Sequence, residues 1–437
     1  MATIAENLTL LKSTKAGIKA AIEAKGVSNV GDKFSDYPAK IASIPTGGST
    51  SGVSQWTGTV DRAGLTELGW STTDIDNLQA NVRWYNWQDP DYTVVDADKS
   101  ITDISQYKDN KDVRYAKMLD TSQVTSMSSS FSGCTDLTSI PALDTSKVTI
   151  MYSMFNNCTS LTTIPALNTS QVTNMNSMFN NCTSLTSIPA LDTSKVTGMN
   201  NIFVICSRLT SIPTLDTSQA TDMNSIFSGC TSLTSIPTLD TSKVTIMKYM
   251  FIGCTSLITI PALDTSKVTN MGSMFQSCTS LTSIPTLNTS KVTNMKYMFR
   301  NCTSLTSIPT LDTSKVTNMN NMFSDCKSLI SIESIDFSSC TDTDYMFPSY
   351  TNYSKLTSMH VTGSISFSWT SGGFSSIPNL DFNSIKSILE AMNRCTNPET
   401  AKTMSFKATM TDQDSQLTNL VSECNGKGWT ITGLTIN

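Results

Sequence analysis

The chain has 437 residues, a net charge of −5 and only 15% charged side chains, with Ser and Thr abundant. That length exceeds one ordinary core unless a repeat array absorbs it. No basic patch invites duplex nucleic acid, and no apolar run on the order of 18 residues would span a membrane.

Residues 3–24 predict a helix. Ile4, Leu8, Leu11, Ile18 and Ile22 follow an a/d pattern with Lys15 in the gap. Such a helix either packs on its own domain or serves oligomerisation, for instance as a homotrimer, or docking to a larger assembly. A second short helix is expected around 37–41, and residues 46–52, rich in Gly and Ser, read as a flexible linker. The organisation expected is therefore a helical attachment segment over 1–45 and a linker over 46–55. The opening eight residues carry neither a basic nor an apolar stretch, so no secretory signal is expected.

The segment Ala16-Gly17-Ile18-Lys19-Ala20-Ala21-Ile22-Glu23-Ala24-Lys25-Gly26-Val27, followed by Phe34-Ser35-Asp36-Tyr37-Pro38-Ala39-Lys40-Ile41, resembles the N-terminal segment of many bacteriophage tail-associated proteins. The resemblance implies attachment to other virion proteins and a place in the tail, with assembly in the host cytoplasm.

Residues 56–118 hold Trp56, Trp70, Trp84 and Trp87. Tryptophans stack on sugars, but a cluster of them also makes the core of a small domain. This piece is expected to cap the repeats that follow.

From 119 onward a 24-residue unit recurs, with starts at Leu119, Leu143, Leu167, Leu191, Leu215, Leu239, Leu263, Leu287 and Leu311, and a degenerate tenth at Ile335. A fixed period in this range marks a solenoid whose units cannot fold alone, because each buries its apolar face only against its neighbours. In the unit 263–286 the fixed apolar positions are Leu263, Val268, Met271, Met274, Phe275, Cys278, Leu281 and Ile284. These are expected to point inward, each stacked on its copy in the next coil. The phenylalanine column is Phe131, Phe155, Phe179, Phe203, Phe227, Phe251, Phe275, Phe299 and Phe323. Val-Thr-x-Met and Leu-Thr-Ser-Ile predict two short parallel strands per coil, Met-Phe-x-x-Cys a helical or 3-10 turn, and Pro the end of the second strand. Asp-Thr-Ser or Asn-Thr-Ser makes the return turn.

The motif Val-Thr-x-Met-x-x-Met-Phe-x-x-Cys-x-x-Leu-Thr-Ser-Ile-Pro resembles the BspA-like leucine-rich repeat, in the variant with repeated Asp-Thr-Ser-x-Val-Thr-x-Met. It covers about half the chain. The resemblance implies a leucine-rich-repeat-like solenoid used for adhesion to cell surfaces or carbohydrates, and no enzyme. Beyond 340 the register breaks. A helix over 382–392, a strand over 403–407, a helix over 412–424 and a closing Trp429-Thr430-Ile431-Thr432 predict degenerate repeats and an α/β cap over 340–437, leaving the solenoid proper at 119–339.

No catalytic site is expected. The single histidine, His360, has no motif around it, no phosphate loop is present, and no cofactor or metal spacing appears. The cysteine ladder (Cys134, Cys158, Cys182, Cys206, Cys230, Cys254, Cys278, Cys302, Cys326) is explained by its period and reads as small buried thiols without bridges. The acidic column (Asp120, Asp144, Asp192, Asp216, Asp240, Asp264, Asp312) gathers cations or is screened by the lysine three places on. Specificity would lie at the variable positions 8, 10, 11, 14 and 15 of the coil, where Tyr152, Lys248, Tyr249, Lys296, Tyr297 and Arg300 are candidate ligand contacts. Three roles fit: a phage tail adhesin that contacts a host-surface glycan or protein, a bacterial surface adhesin, or a structural virion protein.

Overall fold

A computed structural model of the chain describes residues 121, 124–140, 142–369, 373–395, 402–412 and 414–437. The expected N-terminal helices, linker and tryptophan-rich segment lie outside these residues. From 121 the chain winds as a solenoid of stacked 24-residue coils. The apolar columns all face inward, and Val268, Met271, Met274, Phe275, Cys278 and Leu281 are completely buried.

The backbone explains how a unit too short for helix or sheet holds together. In the coil 263–286, the Met271, Ser273, Phe275 and Ser277 N–H groups donate to carbonyls of the next coil at 2.7–3.1 Å. The Met274, Gln276 and Cys278 N–H groups between them donate three residues back at 3.1–3.2 Å. Alternate N–H groups therefore pair along the stack and within the coil. A continuous helix would consume every donor internally and leave none for the neighbour. Helix is prevented by two left-handed residues per coil, Ser273 at φ 56° and Ser277 at φ 62° in this one. The expected 3-10-type bonds are present, but as isolated turns.

Strand pairing is thinner than the sequence suggests. Val-Thr-x-Met contributes one parallel bridge per coil, running Ser126, Ile150, Asn174, Gly198, Asp222, Ile246, Asn270, Asn294, Asn318 and Asp342. Leu-Thr-Ser-Ile forms a strand only late, at β1 (Ser307–Ile308), β2 (Ser331–Asp336) and β3 (Ser358–Thr362), which pair in parallel. The reason is proline. In earlier coils it follows the isoleucine and has no N–H to give, whereas Glu333 stands in its place in β2 and the strand runs on for four more residues.

The phenylalanine rings stack with centroids 5.5–5.9 Å apart and near-parallel planes from Phe131 through Phe323 and on to Phe347. This is longer than the ~4.8 Å spacing of paired backbones, so the rings are slipped, the arrangement their quadrupoles prefer.

The C-terminal end is closed by α1 (Phe382–Asn393), whose N-cap Asp381 accepts from the Ser384 N–H at 2.8 Å. Its hydroxyls stand in for a missing strand: Ser384 Oγ accepts from the Met359 N–H at 2.8 Å and Ser387 Oγ from the Val361 N–H at 3.1 Å. The outer edge of β3 is thus satisfied by side chains. Beyond it, β4 (Lys402–Met410) pairs in parallel with β5 (Trp429–Ile436), linked through α2 (Gln416–Gly426). Trp369 bridges to Met404 and sits edge-on to Phe337, Phe347, Phe367 and Phe374, joining this cap to the solenoid core.

Candidate recognition face

Three sides of the coil are occupied by structure-holding chemistry. In the return turn, Asp144 Oδ1 accepts from the Ser146 N–H at 3.0 Å, and the same bond recurs at Asp192, Asp216, Asp240, Asp264 and Asp312. The serine hydroxyl and N–H hold the Asp144 and Asp192 carboxyls below the ordinary carboxylate range. The lysines of the same turn reach sideways instead: Lys195 and Lys243 Nζ donate to Gln171 and Gln219 one coil back, each at 2.9 Å. Screening by the neighbouring lysine is thus a secondary influence on these acids. Among the described residues no group of three or more His, Cys, Asp or Glu is placed to hold a metal ion.

Hydroxyls and thiols pair the coils elsewhere. Thr145, Thr217, Thr241 and Thr265 donate to the position-2 carbonyl of the next coil at 2.8–2.9 Å. Each cysteine from Cys158 to Cys326 donates its thiol to the phenylalanine carbonyl 27 residues earlier at 3.0–3.1 Å. All twelve cysteines are free and buried. Burial pushes the ladder thiols from Cys158 to Cys326 upward, those of Cys254 and Cys302 to about 12. His360 lies exposed on β3.

The fourth side is the turn segment at positions 8–15, and here the larger variable residues reach solvent. Position 11 takes left-handed φ in every coil from Ser129 to Tyr345. Lys248 Nζ lies 4.4 Å from the centre of the Tyr249 ring, and Lys296 Nζ 4.9 Å from that of Tyr297, whose ring also meets the Arg300 guanidinium at 5.6 Å. The structure therefore assembles five of the six candidate contacts as two cation–aromatic rungs. Between them, in the seventh coil, Gly272 and Ser273 occupy the same two positions and are buried. Tyr152 is 44% exposed but stands four coils away and takes no part in the cluster.

Two residues add to this face. Tyr345 shares position 11, is 64% exposed, and sits beside Asp344 where the other rungs carry lysine. A recurrence of tyrosine at 48 residues (249, 297, 345) was the available signal. Ile205 is 46% exposed at φ 57°, although β-branched residues are outliers there, and its side chain lies against Gly229.

Inward leucine, phenylalanine and isoleucine columns with one parallel bridge per coil define a leucine-rich-repeat-like solenoid of the BspA-like kind. The family described as "Mycoplasma protein of unknown function, DUF285" matches residues 100–211, 185–283 and 256–360, together more than half the chain, and the protein belongs to it. No curated protein matches. Among solved structures the chain is similar to a leucine-rich-repeat protein of T. pallidum, at 21% identity and TM-score 0.26 over 42% of this chain and 72% of that one. It is also similar to the TLR13–ssRNA13 complex, at 14% identity and TM-score 0.23 over 76% of this chain and 56% of that one. A third is the plant peptide hormone receptor RGFR1 with RGF2, at 10% identity and TM-score 0.22 over 70% and 52%. Among the described residues no helix is long and apolar enough to cross a membrane.

Proposed function

We propose that this protein is a non-catalytic adhesin of a bacteriophage tail, attached to other virion proteins through its N-terminal segment and presenting the solenoid to a host-surface glycan or protein. The observation that carries the recognition role is the turn face. There the coil varies, and there Lys248, Lys296 and Arg300, without a carboxylate partner among the described residues, gather with tyrosines on a surface rich in hydroxyls and amides. The tail assignment is supported by the segment 16–41 and its resemblance to tail-associated proteins. The test is mass spectrometry and immunogold labelling of purified particles. Labelling at the tail, with adsorption blocked by the free protein, is expected; particles lacking the chain would overturn the tail assignment.

A second reading is favoured by the family match, whose description names Mycoplasma: a bacterial cell-surface adhesin. It predicts the protein on intact bacteria and not on particles, so the same labelling decides between the two.

A further inference from the structure

Tyr249, Tyr297 and Tyr345 occupy the same coil position with nearly the same left-handed backbone, φ 62°, 60° and 55°. Equal backbone at equal register launches the three side chains in the same direction. They recur every second coil, at roughly 10 Å, twice the inter-strand spacing. That is about the length of one disaccharide in an extended chain. The first two carry Lys248 and Lys296 at position 10, and Arg300 adds a guanidinium to the second. None of the three cations has a carboxylate partner among the described residues, and no carboxylate stands at positions 8–15 of the sixth to eighth coils. The third tyrosine is different. Asp344 replaces the lysine, and Asp342 and Asp325 stand nearby in the tenth and ninth coils. The sign of the face thus reverses between Tyr297 and Tyr345.

We propose that the sixth to eighth coils bind an acidic saccharide chain laid along the solenoid axis, an assignment that rests on the recognition role above and names its ligand. Sugar rings lie against Tyr249 and Tyr297, and the carboxylate or phosphate groups they bear meet Lys248, Lys296 and Arg300. The planar fork of Arg300 suits either oxyanion. Ammonium and ring already form one unit in each rung, so an acid group held by the lysine brings its sugar against the tyrosine, and little side-chain freedom is lost on binding. Between the rungs, Gly272 and Ser273 are buried and project no side chain of their own toward a ligand lying across both rings. A protein partner fits less well, because the apolar surface beside the rungs is limited to Ile246, 37% exposed, and the half-buried Ile252, less than the apolar centre such interfaces need. The acidic residues of the ninth and tenth coils end the site.

The test uses the full chain and immobilised hexagalacturonate, its methyl ester and a phosphate-bearing mannan. The substitutions are residues the solenoid itself uses at these positions: Tyr249→Ser with Tyr297→Ser, Lys248→Asn with Lys296→Asn, and Tyr345→Ser as a control in the same backbone. Expected are binding to one or both acidic polymers, at least about tenfold weaker binding to the ester, a loss of about tenfold or more in both double variants, and no change in Tyr345→Ser. Preference for hexagalacturonate assigns carboxylate as the acid, and preference for the phosphate-bearing mannan assigns phosphate. Failure to bind either acidic polymer, equal binding of the ester, or an equal loss in Tyr345→Ser would overturn the assignment. Adsorption to whole host cells separates the two levels. If wild type binds cells and both double variants bind undiminished, the ligand assignment fails and the recognition role stands. If wild type binds no cells, the recognition role fails as well.

Discussion

The Tyr353 hydroxyl donates to the Phe323 carbonyl at 2.9 Å. It does there what a cysteine thiol does for each phenylalanine carbonyl from Phe131 to Phe299. The tenth coil has Tyr350 where the cysteine would fall, and Tyr353, three places on, reaches the same acceptor. The bond is a requirement of the stack, met by different chemistry where the repeat decays.

Replacing Tyr353 with Phe should therefore destabilise the protein by about 1 kcal/mol, the usual worth of a buried hydrogen bond removed without a large cavity. Urea unfolding measures it. An unchanged midpoint would show that the Phe323 carbonyl gains nothing from its second donor.

Ile205 makes the opposite prediction. The other described residues at its position are Gly, Asn, Ser or Asp, and left-handed backbone costs an L-residue with a bulky side chain ~1–2 kcal/mol. Ile205→Asn should raise stability by about 1 kcal/mol, less whatever contact with Gly229 is lost. A fall in stability would show that this contact outweighs the strain. Gly229, at φ 73°, is where an added Cβ would come within 3.2 Å of the Ile205 side chain, so Gly229→Ala should be destabilising.

The thiols should be silent in the folded state. All twelve are buried, and burial holds Cys182, Cys206 and Cys230 far above the range in which thiolate forms. A colorimetric thiol reagent at mildly alkaline pH should react only as fast as the solenoid unfolds, then titrate all twelve in denaturant. Rapid labelling of the native protein would contradict the inward placement of the column.

The return-turn aspartates set the response to acid. Their carboxyls are depressed by bonds to Ser146, Ser194, Ser242 and Ser266. A group with a depressed folded pKa contributes stability that is present above its unfolded value, near 3.8, and lost as pH falls through the folded value. The melting temperature should therefore decline below that pH. Asp→Asn at 144, 192, 240 and 264 should flatten the decline, since Asn168 and Asn288 already make the same turn with a neutral side chain. An identical acid profile in the variant would remove these turns as its source.

Much of the interior was legible because a repeat compares a sequence with itself. Positions that never change apolar character, such as Val268, Phe275 and Leu281, proved to be those without exposure. The hydrogen-bonding columns were less legible. A constant threonine at position 7 and a constant cysteine at position 16 announce that something is required, not that Thr269 Oγ1 points to Thr245 O or Cys278 Sγ to Phe251 O. The second strand was over-read because Leu-Thr-Ser-Ile has strand composition, while the proline after it removes the donor a ladder needs; only Glu333 restores one. At the outer face, residue type suggested the lysine–tyrosine cluster, but the shared left-handed backbone that aligns its tyrosines is visible only in the structure.

The most direct measurement is the removal of one whole rung. Deleting residues 215–238 should join Phe203 to Phe251 in the ring stack, set Ile205 over Gly253 in place of Gly229, and leave the two lysine–tyrosine rungs untouched. Circular dichroism per residue and cooperative unfolding should persist, whereas deleting only 227–238, half a turn, should abolish both. Equal collapse of the two deletions would contradict a stack of interchangeable 24-residue coils.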